Sequence, residues 1–563
     1  MARLQTLRVA LLLGGALIIW RLIDLQLLHG AHFRRLAEQN RLRVVPEQAP
    51  RGLIVDRSGV LLASNRTVFR VAIVPQEAQE IDTILERVST VVGVPMHQVR
   101  RLWTRQRSLP FIPATVLSDV PKPQALQLEE ERVHLPGLLI QAETVRYYPR
   151  GRSVAHLLGY LGQPTAEELP ILRQYGVQPQ HLIGQMGLER SLEAYLRGRG
   201  GGLVVEVDHR GRKVQAMGHR RPIAGEPVVL TLDVHLQSLI EEALGEQPGA
   251  ATVIDPHTGA VLAMVSRPAF SPAAFVSGPS DERSPYLRDA EGPLMNRAVW
   301  GGYTPGSIAK LITASAALEQ GLLTPSQTLV CHGSIRIGDR TFFCWNRDGH
   351  GPLTLIEAIR SSCNVYFMQV GQWLGAERLT EAMARAGWGK RTGWSLGEYR
   401  GLVPQRRLTG GEVAMLAIGQ GELLITTLQA AVMVSAFANE GWLVTPWVVQ
   451  AVGQRTTARM TMRRLGWSSQ TLDVVRRGMR EAVEHPWGTA HRAATSATSV
   501  AGKTGTAQTH LPGRPHGWFV GFCPAERPRV AMAIVVEHGG SGGDLPALIG
   551  KAICEYISLA DSL

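Results

Sequence analysis

Three short groups of residues in the second half of the chain carry side chains suited to acyl transfer. In TPGSIAKLITASAALEQG (304–321), Ser307 precedes Lys310 by three positions, just after a Pro305-Gly306 break. The residues that follow suit a helix, and Gly321 can cap its far end, so Ser307 is expected to start a helix with Lys310 one turn on, on the same face. A lysine amine that has lost its proton in an apolar site can take the proton of a hydroxyl. Helix N-terminal N–H groups favour the negative charge that follows. Arginine cannot do this, because a guanidinium keeps its proton. The contrast matters in this chain, where only six of 59 basic residues are lysines (Lys122, Lys213, Lys310, Lys390, Lys503, Lys551). The second group is Ser362-Cys363-Asn364, placed by the Thr354/Glu357 capping box where the helix it opens ends or kinks. The third is Lys503-Thr504-Gly505-Thr506, just before the β-branched and aromatic HGWFVGFC (516–523). On an edge strand, alternation turns Lys503 and Thr504 to opposite faces, and Gly505 lets a substrate backbone approach closely. His516 reads as a packed histidine, not as an acid or base.

Strands and helices must hold these groups together. PVVLTLDVHLQSLIEEAL (227–244) reads as strand then helix, and ATVIDPHTGAVLAMVS (251–266) as two β-runs around a His257-Thr258-Gly259 turn. RVAMAIVVEH (529–538) is again β-like, and a final helical stretch starts near Leu545. Strands from both ends of the segment, with mostly helical periodicity between them, predict an α/β domain whose antiparallel sheet is flanked by helices and carries an inserted helical region. Before it, RGLIVDRSGVLLASN (51–65) resembles two strands around Ser58-Gly59, residues 77–105 look helical, and the texture stays mixed to Gly225. That half carries no catalytic grouping and reads as an extended α+β pedestal.

The 563 residues leave room for two to four domains, and 45% hydrophobic against 19% charged residues excludes wholesale disorder. The formal charge of +12 comes without an RNP-like or zinc-knuckle motif, so no nucleic acid partner is expected. VALLLGGALIIW (9–20) is uninterrupted apolar sequence that continues toward Leu28, enough helix to cross a bilayer once, and no small-x-small cleavage site follows Trp20. Within it, Arg21 and Asp24 lie three apart and can pair with each other or face a neighbouring membrane protein. The expected organisation is a tail (1–8), a transmembrane anchor (9–29), a pedestal (30–225) and a catalytic domain (226–563).

S-x-x-K, S-x-N and K-T-G in this chain order form the signature set of the penicillin-recognising acyl transferases, with Cys363 in place of the usual aspartate. The wider chain resembles the class B penicillin-binding proteins through YPRGRSVAHLLGYLG (148–162), IGQMGLERSLEAYLRG (183–198), DPHTGAVLAMVSRPAF (255–270), YTPGSIAK (303–310), GHG (349–351), AIGQGELLITTLQ (417–429) and GKTGTAQ (502–508). The YLG and IGQMGLE segments are closer to the elongation-type branch. The alternatives are a division-type or sporulation-type relative, or a β-lactamase or β-lactam sensor. The resemblance implies the penicillin-recognising serine transpeptidase fold and a peptidoglycan D,D-transpeptidase inhibited by β-lactams. It assigns Ser307 as nucleophile, Lys310 as base, Ser362 and Lys503 as a proton relay and Asn364 as a holder of the substrate amide. Thr504 and Thr506 would bind the substrate carboxylate, with Gly505 between them, and the N–H groups of Ser307 and Thr506 would form the oxyanion hole. The reaction needs no cofactor. The resemblance further implies a single-pass protein of the inner or plasma membrane in contact with lipid, with residues 1–8 cytoplasmic and the catalytic domain periplasmic or extracytoplasmic. Its substrates would be stem peptides. Its partner would be a polytopic glycan-polymerising protein of the shape, elongation, division and sporulation family.

Five cysteines are present, three of them in the order Cys331-x12-Cys344-x5-His350-x12-Cys363. Cys3His is an allowed tetrahedral set for structural zinc, here without the tight C-x2-C spacing. Cys363, between two residues expected to face substrate, should point into the supporting layer, where a metal would brace the S-x-N loop. A Cys331–Cys344 disulfide with Cys363 as a buried thiol is the competing reading.

Overall fold

HGWFVGFC and VAMAIVV are apolar on both sides of the pleat, the pattern of strands covered on two faces. They form the interior of a five-stranded sheet with β1 (Gly249–Ile254), β2 (Val261–Arg267), β3 (Ala501–Ala507), β4 (His516–Cys523) and β5 (Val530–Val536). The order is β2-β1-β5-β4-β3 and all neighbours are antiparallel, so β3, which carries Lys503 to Thr506, lies on an edge. The computed structural model describes the chain except residues 1, 34–41, 107–112, 175–176, 178–180, 209–212, 277–279, 458–460, 509–513 and 561–563.

Period-two alternation sends β4 side chains into two different cores. Trp518, Val520 and Phe522 pack on one side with α1 (Lys310–Glu319), α3 (Asn364–Arg385) and α4 (Thr427–Ala438). Phe519 and Cys523 pack on the other with the helices Val234–Leu244 and Leu545–Ala560. The result is helix, sheet, helix, and strands from both ends of the segment share the sheet as the sequence predicted. Every residue of α1 from Lys310 to Ala317 is buried. Such a helix needs no amphipathic stripe, because apolar neighbours surround it.

The chain divides into two compact units. The larger holds the sheet and comprises residues 53–64, 146–196 and 226–563, so two stretches from the first half of the chain pack with the second half. Inside it, Arg146 and Glu189 form a fully buried ion pair at 2.6 Å. The smaller unit comprises residues 1–52, 65–145 and 197–225. Its core includes Val71, Ile73, Leu85, Val88, Trp103 and Val116, drawn from antiparallel strands and the helices Ile81–Val92 and Met96–Gln106. The helical reading of 77–105 is thus split in two: Gly93, at φ 74°, caps the first helix and Pro95 precedes the second. The Ser58-Gly59 turn forms as expected, with Asp56 Oδ1 accepting from the N–H groups of Ser58 and Val60.

At the N-terminus the helix Ala2–Ile23 continues through a wider turn, Asp24–Leu28. Leu11–Leu28 has a mean hydropathy of 1.8 and is the one helix among the described residues long and apolar enough to cross a membrane. Arg21 pairs with Asp24 at 2.5 Å, and His29 Nδ1 lies 2.8 Å from the same carboxylate. Local pairing, one of the two options for these charges, is thus formed within the helix itself.

The disulfide joins Cys523 at the end of β4 to Cys554 on the C-terminal helix, a pairing with no sequence motif behind it. Closing a loop of 31 residues should stabilise the fold by about 3–4 kcal/mol through the unfolded chain. The double variant Cys523→Ala/Cys554→Ala is expected to unfold earlier in urea by that amount, and reducing agent should no longer shift its midpoint. An unchanged midpoint in the variant contradicts this.

Candidate active site

Ser307 needs a sharp entry to its helix, and the Pro305-Gly306 break supplies one. The turn is tighter than expected: Gly306–Ala309 is a 3-10 turn that leads directly into α1. In a 3-10 turn, positions three apart eclipse, so Ser307 and Lys310 share a face as predicted. Gly306 has φ 58°, and a Cβ there would come within 2.7 Å of the Thr506 carbonyl oxygen. That clearance lets β3 lie directly against the Ser307 turn. Gly505 is equally close, its virtual Cβ 2.8 Å from the Pro305 carbonyl oxygen.

Thr354 and Glu357 make the predicted capping box and open α2 (Leu355–Arg360). Ser362 sits in the break between α2 and α3 with φ 54°, a left-handed backbone that a serine adopts only when its surroundings impose it. Cys363 caps α3, its Sγ accepting from the Tyr366 N–H at 3.4 Å.

These segments meet in one buried hydrogen-bonded chain. Lys310 Nζ donates to the Ser362 carbonyl at 2.7 Å and to Asn364 Oδ1 at 2.7 Å, and lies 3.4 Å from Ser362 Oγ. Lys503 Nζ donates to Ser362 Oγ at 2.7 Å and to the Thr504 carbonyl at 3.0 Å. Both amines are fully buried. Burial brings the Lys310 pKa down to about 8, against the opposing pull of the Cys363 and Cys344 thiols. Burial, and then the neighbouring Lys310 charge, hold Lys503 well below the usual lysine value. Five predicted residues are therefore brought to one place, with one difference from expectation. The Lys310 amine spends its hydrogen bonds on Ser362 and Asn364, and none of them goes to Ser307. Thr504 is buried, whereas Thr506 is exposed at the strand edge.

Several positioning contacts had no sequence signal of their own. Tyr303 Oη donates to Glu537 Oε1 at 2.6 Å, and Arg297 Nε reaches the same oxygen at 2.9 Å. Trp518 Nε1 donates to the Thr304 carbonyl at 3.0 Å, and the Gly306 N–H to the Gly419 carbonyl at 2.8 Å. Gln420 Nε2 donates to the Thr506 carbonyl at 3.1 Å. The AIGQGELLITTLQ segment thus holds both the serine turn and the edge strand, a role that motif likeness alone did not reveal. His516 packs edge-on against the Tyr303 ring at 5.6 Å and accepts the His538 N–H at Nδ1. Burial and the adjacent His538 lower its pKa.

Behind Ser362 lies the cysteine cluster. Cys331, Cys344 and Cys363 are free thiols, which overturns the Cys331–Cys344 disulfide reading. Their sulfurs and a ring nitrogen of His350 all lie within 4.8 Å of one another. His350 Nδ1 is 3.6 Å from Cys331 Sγ and 3.5 Å from Cys344 Sγ, and the Cys344 and Cys363 sulfurs are 3.9 Å apart. Tetrahedral zinc with ordinary bond lengths sets sulfur–sulfur separations of about 3.8 Å and sulfur–nitrogen separations of about 3.5 Å. The donor set and its spacing fit that ion. The hydrogen bond between Cys344 and Cys363 lowers the Cys344 pKa and, with burial, raises that of Cys363, so without a metal the two sulfurs share one proton.

Comparison with known proteins agrees with this geometry. Residues 249–555 match the penicillin binding protein transpeptidase domain, and residues 46–230 match the penicillin-binding protein dimerisation domain. The peptidoglycan D,D-transpeptidase MrdA of Acinetobacter baumannii is 32% identical, over 94% of this chain and 84% of that protein. The structure of penicillin-binding protein PBP2 from Helicobacter pylori in complex with MreC superposes with a TM-score of 0.81 at 26% identity, covering 93% of this chain and 99% of that one. A chain from a peptidoglycan synthase complex that coordinates polymerization and crosslinking gives 0.75 at 32% identity, with 99% and 98% covered.

Tyr303→Phe tests the link between β5 and the serine turn. It removes one of two donors to a largely buried carboxylate, so a loss of about 1.5–3 kcal/mol is expected in thermal or urea unfolding. Unfolding indistinguishable from the unmodified protein would mean that the hydroxyl bears no part of the turn's stability.

Proposed function

The chain belongs to the class B penicillin-binding proteins, and from that premise we propose that it is a peptidoglycan D,D-transpeptidase of the elongation type working through a Ser307 acyl-enzyme. The observation that carries the residue assignment is the buried chain from Lys310 through Ser362 to Lys503, directly below the serine turn. In this reading Ser307 Oγ attacks the penultimate D-alanine carbonyl of a stem peptide and the neutral Lys310 amine takes its proton. The peptide bond breaks, the terminal D-alanine amine gains a proton passed along Ser362 and Lys503, and an ester to Ser307 remains. An acceptor amine then attacks the ester, its proton returns along the same chain, and the crosslink closes.

Asn364 Oδ1 is committed to Lys310, which leaves its amide NH2 to hold the substrate amide. The Gly306 N–H is already satisfied by Gly419, while the next N–H of the turn, on Ser307, has no acceptor among the described residues. It serves with the Thr506 N–H as oxyanion hole, on the edge strand where Thr504 and Thr506 receive the substrate carboxylate. The edge position of β3 supports this, because a peptide can add to its free side as a further strand.

The N-terminal helix anchors the chain in the membrane by one pass, and a substrate assembled outside the cytoplasm puts residues 1–8 inside and the catalytic domain outside. Residues 226–563 act as the catalytic domain and 30–225 as the pedestal, with 53–64 and 146–196 of that stretch packing in the same compact unit as the catalytic residues. The Helicobacter pylori relative is solved with MreC, and another belongs to a complex coupling polymerization to crosslinking. These support a partner in the elongation machinery for this chain, a polytopic glycan polymerase contacting anchor and pedestal. We assign the four-residue cluster to structural zinc, which would brace the Ser362 loop from behind and take no part in the reaction.

Labelled penicillin should form a long-lived adduct on Ser307, absent in Ser307→Ala and strongly slowed in Lys310→Arg, which cannot lose its proton. Because burial lowers Lys310 to a pKa of about 8, the neutral base grows as pH rises. Acylation should therefore climb between about pH 7 and 9, well below the range of an ordinary lysine. An adduct formed at the original rate by Lys310→Arg would remove Lys310 from the base role. For the cluster, purified protein should carry one equivalent of zinc, and Cys344→Ser should bind it at least about tenfold more weakly. Metal-free protein with full thermal stability would rule the zinc out.

A further inference from the structure

We propose that the loop 343–350 is a substrate subsite for the acidic part of the stem peptide upstream of its D-alanyl end, with Trp345 and Arg347 as the contacting side chains. The proposal rests on the reading of Ser307 as the nucleophile. Trp345 is 60% exposed and Phe343 52% exposed, large aromatic faces left in water within three residues of each other. Neither is loosely held. Trp345 Nε1 donates to the Ser361 carbonyl at 3.0 Å, and its ring lies edge-on to His350 at 5.2 Å, between the buried Cys344 and the half-buried His350. The indole is thereby fixed against the residue immediately before Ser362. Arg347 stacks its guanidinium over the Phe343 ring at 4.1 Å. Its one described contact is that ring, and among the described residues neither it nor its neighbour Asp348, the one carboxylate in the loop, forms an ion pair.

A stacked guanidinium keeps its edge N–H groups free, in the fork geometry that takes a carboxylate with two parallel hydrogen bonds. A flat indole beside it accommodates the aliphatic stretch of a peptide. Stem peptides carry free carboxylates between the glycan and the D-alanines, so the wall matches the substrate in charge as well as in apolar surface. It is also continuous with the S-x-N loop that borders the reacting bond. A penicillin mimics only the D-alanyl end and carries no counterpart of the upstream carboxylates.

The test uses the purified full-length protein in detergent and measures how well peptides protect Ser307 from labelled penicillin. The probes are a synthetic acidic stem pentapeptide and a neutral N-acetylated tripeptide with the same D-alanyl-D-alanine end. Arg347→Ala and Trp345→Ala should each need about five- to tenfold more pentapeptide for the same protection. The tripeptide requirement should stay put, and Arg347→Lys and Trp345→Phe should recover most of the loss. Equal pentapeptide protection in Arg347→Ala overturns the subsite. So does a parallel shift for both peptides, which would report a damaged pocket, or loss of a co-purifying membrane protein with peptide protection intact, which would make the wall a protein-docking face. Absence of any Ser307 adduct in the unmodified protein overturns the nucleophile assignment itself, and the subsite with it.

Discussion

Two fully buried lysine amines sharing one serine hydroxyl set the terms for everything around them. Moving an ammonium out of water costs several kcal/mol unless acceptors surround it, and two like charges so close together cannot both be retained cheaply. Lys310 and Lys503 meet this through the Ser362 hydroxyl, the Ser362 and Thr504 carbonyls and the Asn364 amide oxygen. The same burial that makes the arrangement costly makes it useful, since it drives both amines toward the neutral form in which they accept protons.

The fold can be understood as a means of holding that pocket closed. The helix carrying Lys310 is buried on every side, and the edge strand carrying Lys503 is backed by β4 and pressed against the serine turn at Gly306 and Gly505. Ser362 is kept in a left-handed conformation by a capping box before it, a helix cap after it and the cysteine cluster behind. Tyr303 and Arg297 converge on Glu537, which ties the chain leading to Ser307 to the end of β5. Each of these contacts holds a group of the candidate site in place, and fixed donors and dipoles are what electrostatic stabilisation of developing charge requires.

The legible parts of the site were those with a local cause. The S-x-x-K spacing, the Thr354/Glu357 cap, the Ser58-Gly59 turn and the β-rich runs follow from neighbouring residues and from the helix and strand periods. The cysteine and histidine spacing singled out four residues that the fold then brings together. What escaped were contacts with no local cause. Glu537 lies 234 residues from Tyr303, Gln420 reaches across 86 residues to Thr506, and Cys554 meets Cys523 across two different element types. The family-like segments around Gln420 and Thr506 stood out in the sequence, but nothing in the immediate sequence of any of these residues marks the partner it meets.

The sequence by itself determined which side chains were available for chemistry, the elements that carry them, and the apolar helix at the N-terminus. Side-chain type, turn residues and hydrophobic period act over a few positions, and all of them can be read in order along the chain. Only the tertiary structure decided that the Lys310 amine turns to Ser362 and Asn364 instead of Ser307, that the three clustered cysteines stay reduced while the Cys523–Cys554 pair is oxidised, and that Trp345 stands fixed beside the Ser362 loop. The reason is that hydrogen-bond partners and solvent exclusion are set by whichever segments packing brings together, and these partners lie from 16 to 54 residues apart, beyond the reach of any local pattern.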